Sequence, residues 1–193
     1  MQKIFLTQLS PKDFQKADSA NFPITPVRCV FSDCMVPVKM KKHGFYRRYV
    51  ISRMFCGIIY IRRYICPCCG RTVSMLPSFL LPQFQYSIPY IVDFISGYFE
   101  RKQSLRSYMK AFKNATDMFS RRHFRFYISR IFSNRKLIQY YLSSTAQTMI
   151  PEEDSLDSRK FVKKLMEKIH AVSPHYFTCS FFNSTHKSIL APN

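Results

Sequence analysis

Three cysteines crowd into four positions of RRYICPCCGRTVSMLP, residues 62–77, and a further pair, Cys29 and Cys34, lies upstream in RCVFSDC. Thiols at such spacing form disulfides, act as nucleophiles or bind metal. The start, MQKIFLTQLSPKDF, has one lysine before position 10 and a short apolar run that ends in polar residues and a proline, unlike a secretory signal. A cytoplasmic protein is therefore predicted, and reducing conditions there disfavour structural disulfides, as does the odd total of seven cysteines. No cysteine has a recognisable base, and the chain has neither a Gly-rich phosphate loop nor a placeable Ser/His/Asp set. Metal ligation is the chemistry left.

A tetrahedral zinc site needs four sulfur or imidazole ligands, normally from two local pairs. Cys29/Cys34 supplies one pair and Cys66/Cys69 the other. Gly70 directly follows Cys66-x-x-Cys69, where the backbone of such a knuckle needs a positive φ that glycine adopts at little steric cost. Cys68 then points away as a spare. A Cys66/Cys68 pair stays open as an alternative, although it leaves Gly70 without that role. Cys56 and Cys179 are expected to be buried apolar residues, and His43, beside Lys41 and Lys42, to be a solvated side chain rather than a ligand.

Ligands so far apart in sequence need an element between them. GFYRRYVI at 44–51 and IIYIRRYI at 58–65 are dense in β-branched and aromatic residues, with SRMFCG able to turn. Knuckle, hairpin and second knuckle predict a zinc ribbon. Ile59, Ile61, Arg63 and Ile65 alternate with Ile58, Tyr60, Arg62 and Tyr64, so one face should pack while the other is aromatic and basic. Past Pro82 the period becomes helical. Ser87 and Pro89 start a helix with Ile91, Phe94, Ile95 and Tyr98 inward, and a second begins at Ser104 with Leu105, Tyr108, Met109 and Phe112 inward. KNATD turns. A third helix is capped by Ser120, buries Phe124, Tyr127, Ile128 and Ile131, and exposes Arg121, Arg122, Arg125 and Ser129. A fourth follows a break near Ser133 and Asn134. The fold class is α+β: an N-terminal arm at 1–28, a zinc ribbon at 29–82, a helix-turn-helix-like domain at 83–150, and an acidic linker, helix and tail at 151–193.

The formal charge is +19, unevenly spread: residues 1–150 hold 24 Lys and Arg against 6 Asp and Glu, and residues 151–193 hold 6 against 5. Such a field attracts polyanions, nucleic acid first among them. Arg121 and Arg122 lie in a helix's first turn, where the macrodipole disfavours cations, so they gain more from an anionic ligand than from the helix. Arg47, Arg48, Arg62 and Arg63 of the hairpin form a second candidate DNA surface. The long apolar stretch 76–99 is broken by prolines, Gln83, Gln85 and Asp93, which argues against a membrane span. DNA strand transfer needs carboxylates converging on two metals. The few acids before residue 150 are scattered and Glu152, Glu153, Asp154 and Asp157 cluster late, so no enzyme is expected.

HGFYRRY at 43–49, RRYICPCCGRTVSMLPSFLLP at 62–82 and FSRRHFRFY at 119–127 together resemble a bacterial family of uncharacterised zinc-ribbon proteins encoded in insertion-sequence-like elements, similar to the zinc-binding N-terminal regions of some transposases. The resemblance spans about residues 20–142 and is most specific at C-P-x-C-G-R-T. It implies metal positions at Cys29, Cys34, Cys66 and Cys69, Zn2+ as cofactor, DNA as partner and a transposase or other mobile-element protein as a second partner. The first knuckle departs from the family's shorter spacing. A protein-interaction module of a mobile-element complex is the alternative function. FVKKLMEKIH at 161–170 has amphipathic spacing, and YFTCSFFNSTHKSIL is expected to be a partner-binding or poorly ordered tail.

Overall fold

The computed structural model describes residues 1–17, 20, 22–34, 37–101, 103–112, 119–145 and 149–191. The chain has helices and a four-stranded mixed sheet, an α+β fold, and divides into two units, Met1–Ser87 and Ile88–Asn193.

In the first unit the strands are β1 (Gln2–Phe5), β2 (Lys41–Ile51), β3 (Cys56–Ile65) and β4 (Thr72–Pro77), in spatial order β1-β4-β3-β2. The expected hairpin is β2–β3, antiparallel, with Arg47 opposite Tyr60 and Phe45 opposite Arg62. Its register slips between Lys42 and Phe45, and Gly44 takes φ +76° at that irregularity. Ile59 and Ile61 are buried, as the alternation requires, with Val50 of β2. Tyr64 departs from the pattern: it lies on the outward-reading set yet is 1% exposed, and its hydroxyl donates to the Pro23 carbonyl at 2.5 Å.

Within the expected N-terminal arm, 1–28, residues 2–16 belong to the sheet unit. Gln2–Phe5 pairs in parallel with Ser74–Pro77 of β4. Helix α1 (Pro11–Lys16), capped by the Ser10 side chain accepting from Asp13 N–H, inserts Phe14 against Phe79 at 5.5 Å between ring centroids. Four residues with one lysine among them carry almost no local strand pattern, so this pairing depends on β4, distant in sequence.

The second unit is helical: α2 (Ile88–Glu100), α3 (Leu105–Phe112), α4 (Arg121–Ser133), α5 (Arg135–Ser144), α6 (Glu152–Ser155), α7 (Ser158–Val172) and α8 (Pro174–Thr185). Helix α4 starts as expected. The Ser120 hydroxyl accepts from the His123 N–H, and the His123 ring accepts from the Ser120 N–H, a reciprocal cap. Phe94 of α2 centres an aromatic cluster with Phe119 at 4.2 Å and Phe112 at 4.7 Å, and the Tyr108 hydroxyl donates to the Phe94 carbonyl at 2.9 Å. The KNATD turn, 113–117, lies outside the described residues.

The C-terminal stretch is no loose tail. Phe161, Leu165 and Ile169 of α7 are fully buried, and the segment containing YFTCSFFNST is a helix whose Phe177 and Phe181 pack on Tyr141 at 5.6 and 5.1 Å. Asn134, at the α4–α5 break, is 5% exposed and its amide nitrogen faces the carbonyls of Arg130, Ile189 and Ala191 at 3.0, 3.1 and 3.0 Å. All three partners are acceptors, which fixes which end of the amide carries nitrogen. Hydrophobic aromatics mixed with polar residues here mark a helix with one buried side.

Candidate metal centre

The loop before β2 and the turn between β3 and β4 bring Cys29, Cys34, Cys66 and Cys69 together, with all four sulfurs within 4.8 Å of one another. Two close approaches cross between the pairs: Cys29 to Cys69 and Cys34 to Cys66, both 3.8 Å between Sγ atoms. A regular tetrahedron with metal–sulfur bonds of about 2.3 Å has edges of about 3.8 Å. All seven cysteines are free thiols, so the group is a set of four unlinked sulfur donors of the size a metal ion requires. Among the described residues it can hold a metal ion.

Local backbone makes the geometry. After β3, Cys66 N–H donates to the Arg71 carbonyl at 3.0 Å and Gly70 N–H returns to the Cys66 carbonyl at 2.9 Å, closing the turn. Gly70 has φ +69°, as its place after the knuckle requires, and no atom lies within 4 Å of where a Cβ would stand. Across the site Cys34 N–H donates to the Phe31 carbonyl at 3.0 Å. Tyr64, Met40, Val73 and the fully buried Cys66 form a small apolar cluster against which Cys29, Cys34 and Cys69 pack. Cys68 is exposed and stands outside the group, in agreement with its reading as the spare thiol.

The thiols are unequal. Hydrogen bonds from the Arg71 side chain, then from its backbone N–H, hold Cys69 down to about 6. Backbone N–H groups, Cys69's foremost, lower Cys66. Cys29 is raised because desolvation outweighs the Phe31 N–H bond it receives. Thiolate is the ligating form, so the second knuckle is the better prepared half.

Arg71 went unnoticed in the sequence as a functional residue. Its guanidinium donates to Asp33 at 2.6 Å, lies 4.2 Å from the Phe31 ring centroid and reaches Cys69, so one side chain from the second knuckle clasps the first. Opposite charges placed beside the two cysteine pairs, Asp33 before Cys34 and Arg71 after Cys69, were the available clue.

The nucleic-acid candidates fare differently. Arg121, Arg122 and Arg125 are exposed on α4, and Phe124, Tyr127 and Ile131 of the same helix are buried. Arg47 is exposed on β2. Arg48 is engaged internally: it shares the inward side of β2 with Val50, and its Nη2 donates to the Leu81 carbonyl at 2.5 Å and the Phe84 carbonyl at 2.9 Å. A guanidinium on that side must find acceptors within the protein. Arg62 is half-buried over Phe22, 4.3 Å from its ring centroid, and Arg63 is half-buried. Cys56, expected inside, is exposed at the start of β3 with its sulfur 2.7 Å from the Tyr49 hydroxyl, while Cys179 is half-buried. Strand ends leave outward-facing residues uncovered, which explains Cys56.

Residues 33–113 match the family described as Domain of unknown function (DUF6431). This is less than half of the chain; it runs from the end of the first knuckle through β2, β3, β4 and α2 to α3, and takes in Cys34, Cys66 and Cys69 but not Cys29. No curated protein and no solved structure matches the chain. Among the described residues no helix is long and apolar enough to cross a membrane.

Proposed function

We propose that this protein is a non-catalytic DNA-binding protein whose first unit is a zinc ribbon and whose α3 and α4 act as a helix-turn-helix pair. Zinc is favoured by the donor set: four sulfurs, no oxygen, two cross-pair approaches of 3.8 Å and a shell of backbone N–H groups suit a structural Zn2+, with iron as the other metal taken by such a set. When bound, it would tie the two knuckles together beside the small apolar cluster of Met40, Tyr64, Cys66 and Val73. Cys29, Cys34, Cys66 and Cys69 would hold it, Arg71 and Asp33 clasping them from outside.

The observation that carries DNA binding is the grouping of Arg121, Arg122 and Arg125 on the exposed side of α4, in its first turns, with the opposite side anchored in the core. A helix so placed can enter a major groove and present guanidiniums to guanine edges or phosphates. The β2–β3 hairpin, 41–65, adds seven Lys and Arg and no acid, of which Lys41, Lys42, Arg47 and Arg53 are exposed. Regulation of a mobile element, or assistance to its transposase, rests on the motif resemblance of HGFYRRY, CPCCGRT and FSRRHFRFY.

Exposed Phe45, Tyr49 and Ile58 on the hairpin, 54%, 43% and 44% accessible, favour a second reading, a protein-interaction module. Selection from a random duplex pool separates the two. A DNA reader engaging about six phosphates loses affinity with a log–log salt slope near −5, and Arg→Ala at a base-contacting position relaxes preference there by roughly 1 to 3 kcal/mol. No enrichment, and duplex binding unchanged when Arg121, Arg122 and Arg125 are all replaced by alanine, would leave the interaction module.

A further inference from the structure

Two adjoining cavities in the helical unit, of about 560 and 340 Å³, share Tyr98, Phe99 and Arg159 in their walls. Arg101, Lys160 and Lys163 complete the cationic lining of the larger one, and Arg125 lies in the smaller. No aspartate or glutamate lines either. All five cations are exposed, and among the described residues none of their side chains makes an ion pair.

This groove concentrates positive charge that Asp157 answers only in part, beside Arg159 and Lys160. Arg159 and Lys160 occupy the first turn of α7, where the macrodipole is already positive. The carboxylate there, Asp157, accepts from the backbone N–H groups of those two residues at 2.8 and 2.9 Å, and their side chains are exposed without a direct ion pair to it. Between the cations stand two aromatic rings, Tyr98 and Phe99, half-buried, at 5.5 Å and 60° to each other. Cations along a channel with aromatic walls are what a phosphate backbone and an unpaired base need together. Bases in a duplex have both faces covered by stacking and cannot reach a wall recessed between helices.

We infer that the groove between α2, α4 and α7 binds single-stranded nucleic acid, with Arg101, Arg125, Arg159, Lys160 and Lys163 on phosphates and Phe99 stacking a base. The inference rests on the nucleic-acid reading above; it assigns a different form of the partner to a groove that shares Arg125 with the exposed face of α4 and otherwise uses other residues. A neighbouring cavity that shares Phe99 and Lys163 holds Glu100 and Glu167, so the strand's path ends on that side.

The test uses the full chain with its bound metal, fluorescein-labelled dT12, a duplex of equal length, and inorganic tripolyphosphate as competitor. Arg159→Glu with Lys163→Glu should weaken dT12 binding about tenfold or more and reduce the salt slope by about 1.4, near 0.7 for each phosphate contact. Duplex binding through α4 should stay as in the parent. Phe99→Leu, which keeps apolar volume, should weaken dT12 roughly fivefold or more with little change of slope; circular dichroism of each variant checks the fold. Unchanged dT12 binding in the charge-reversed protein overturns the site. Displacement by tripolyphosphate at equal phosphate concentration, with Phe99→Leu silent, overturns the stacked strand in favour of a phosphate chain alone. Duplex binding without dT12 binding overturns this inference and leaves the proposed function standing; binding of neither removes both.

Discussion

Gly70→Ala isolates what the second knuckle's backbone contributes to metal binding. Gly70 sits at φ +69° with no atom within 4 Å of an added Cβ, so the substitution creates no collision with a neighbour. The remaining cost is torsional: an L-residue in the left-handed region loses roughly 1 to 2 kcal/mol. If the metal binds only the folded knuckles, that loss appears in affinity, and at 1.4 kcal/mol per tenfold it amounts to roughly a 5- to 30-fold weaker site. Asparagine visits this region more readily, so Gly70→Asn should lose less, and Gly70→Val, with a branched Cβ, should lose more. Competition against a zinc chelator of known affinity reads all three. The order Asn, Ala, Val is the expected result. Three variants that bind metal like the parent, or an inverted order, would refute the link between this turn and the site.

Asn134→Leu should destabilise the helical unit by about 1 to 3 kcal/mol in denaturant titration, since the carbonyls of Ile189 and Ala191 lose their donor. Asn134→Asp, nearly the same shape, should be worse because it turns a carboxylate toward three carbonyl oxygens; equal stability of the two would contradict the hydrogen-bond assignment. Gly97→Ala places a Cβ 2.5 Å from the Tyr108 hydroxyl and should cost roughly 1 to 3 kcal/mol. Tyr108→Phe removes that oxygen, so the double variant should recover part of the loss in a double-mutant cycle, and strict additivity would show that the contact is not the cause.

Features set by short-range chemistry were legible. The Cys29/Cys34 and Cys66/Cys69 pairs, the glycine after the knuckle, the β-rich runs between them and the Ser120 cap each rest on residues within a few positions of one another. What escaped depends on partners far along the chain. Gln2–Phe5 becomes a strand only because Ser74–Pro77 offers it an edge. Arg48 reads as a surface cation until the Leu81 and Phe84 carbonyls are found beside it. Alternation predicted an outward Tyr64, but Pro23 and the knuckle cluster cover it. The last helix, α8, was missed for a further reason: buried aromatics interrupted by Thr, Ser and Asn give it a weak amphipathic pattern, and its identity comes from Tyr141 on the other side of the contact.

Metal content of the purified full chain, measured by elemental and native mass spectrometry across seven single Cys→Ser variants, tests the metal centre most directly. One zinc per chain is expected in the parent and in the Cys56, Cys68 and Cys179 variants, with loss or marked weakening at Cys29, Cys34, Cys66 and Cys69. Iron in place of zinc, or zinc lost with Cys68 and kept without Cys69, would contradict it.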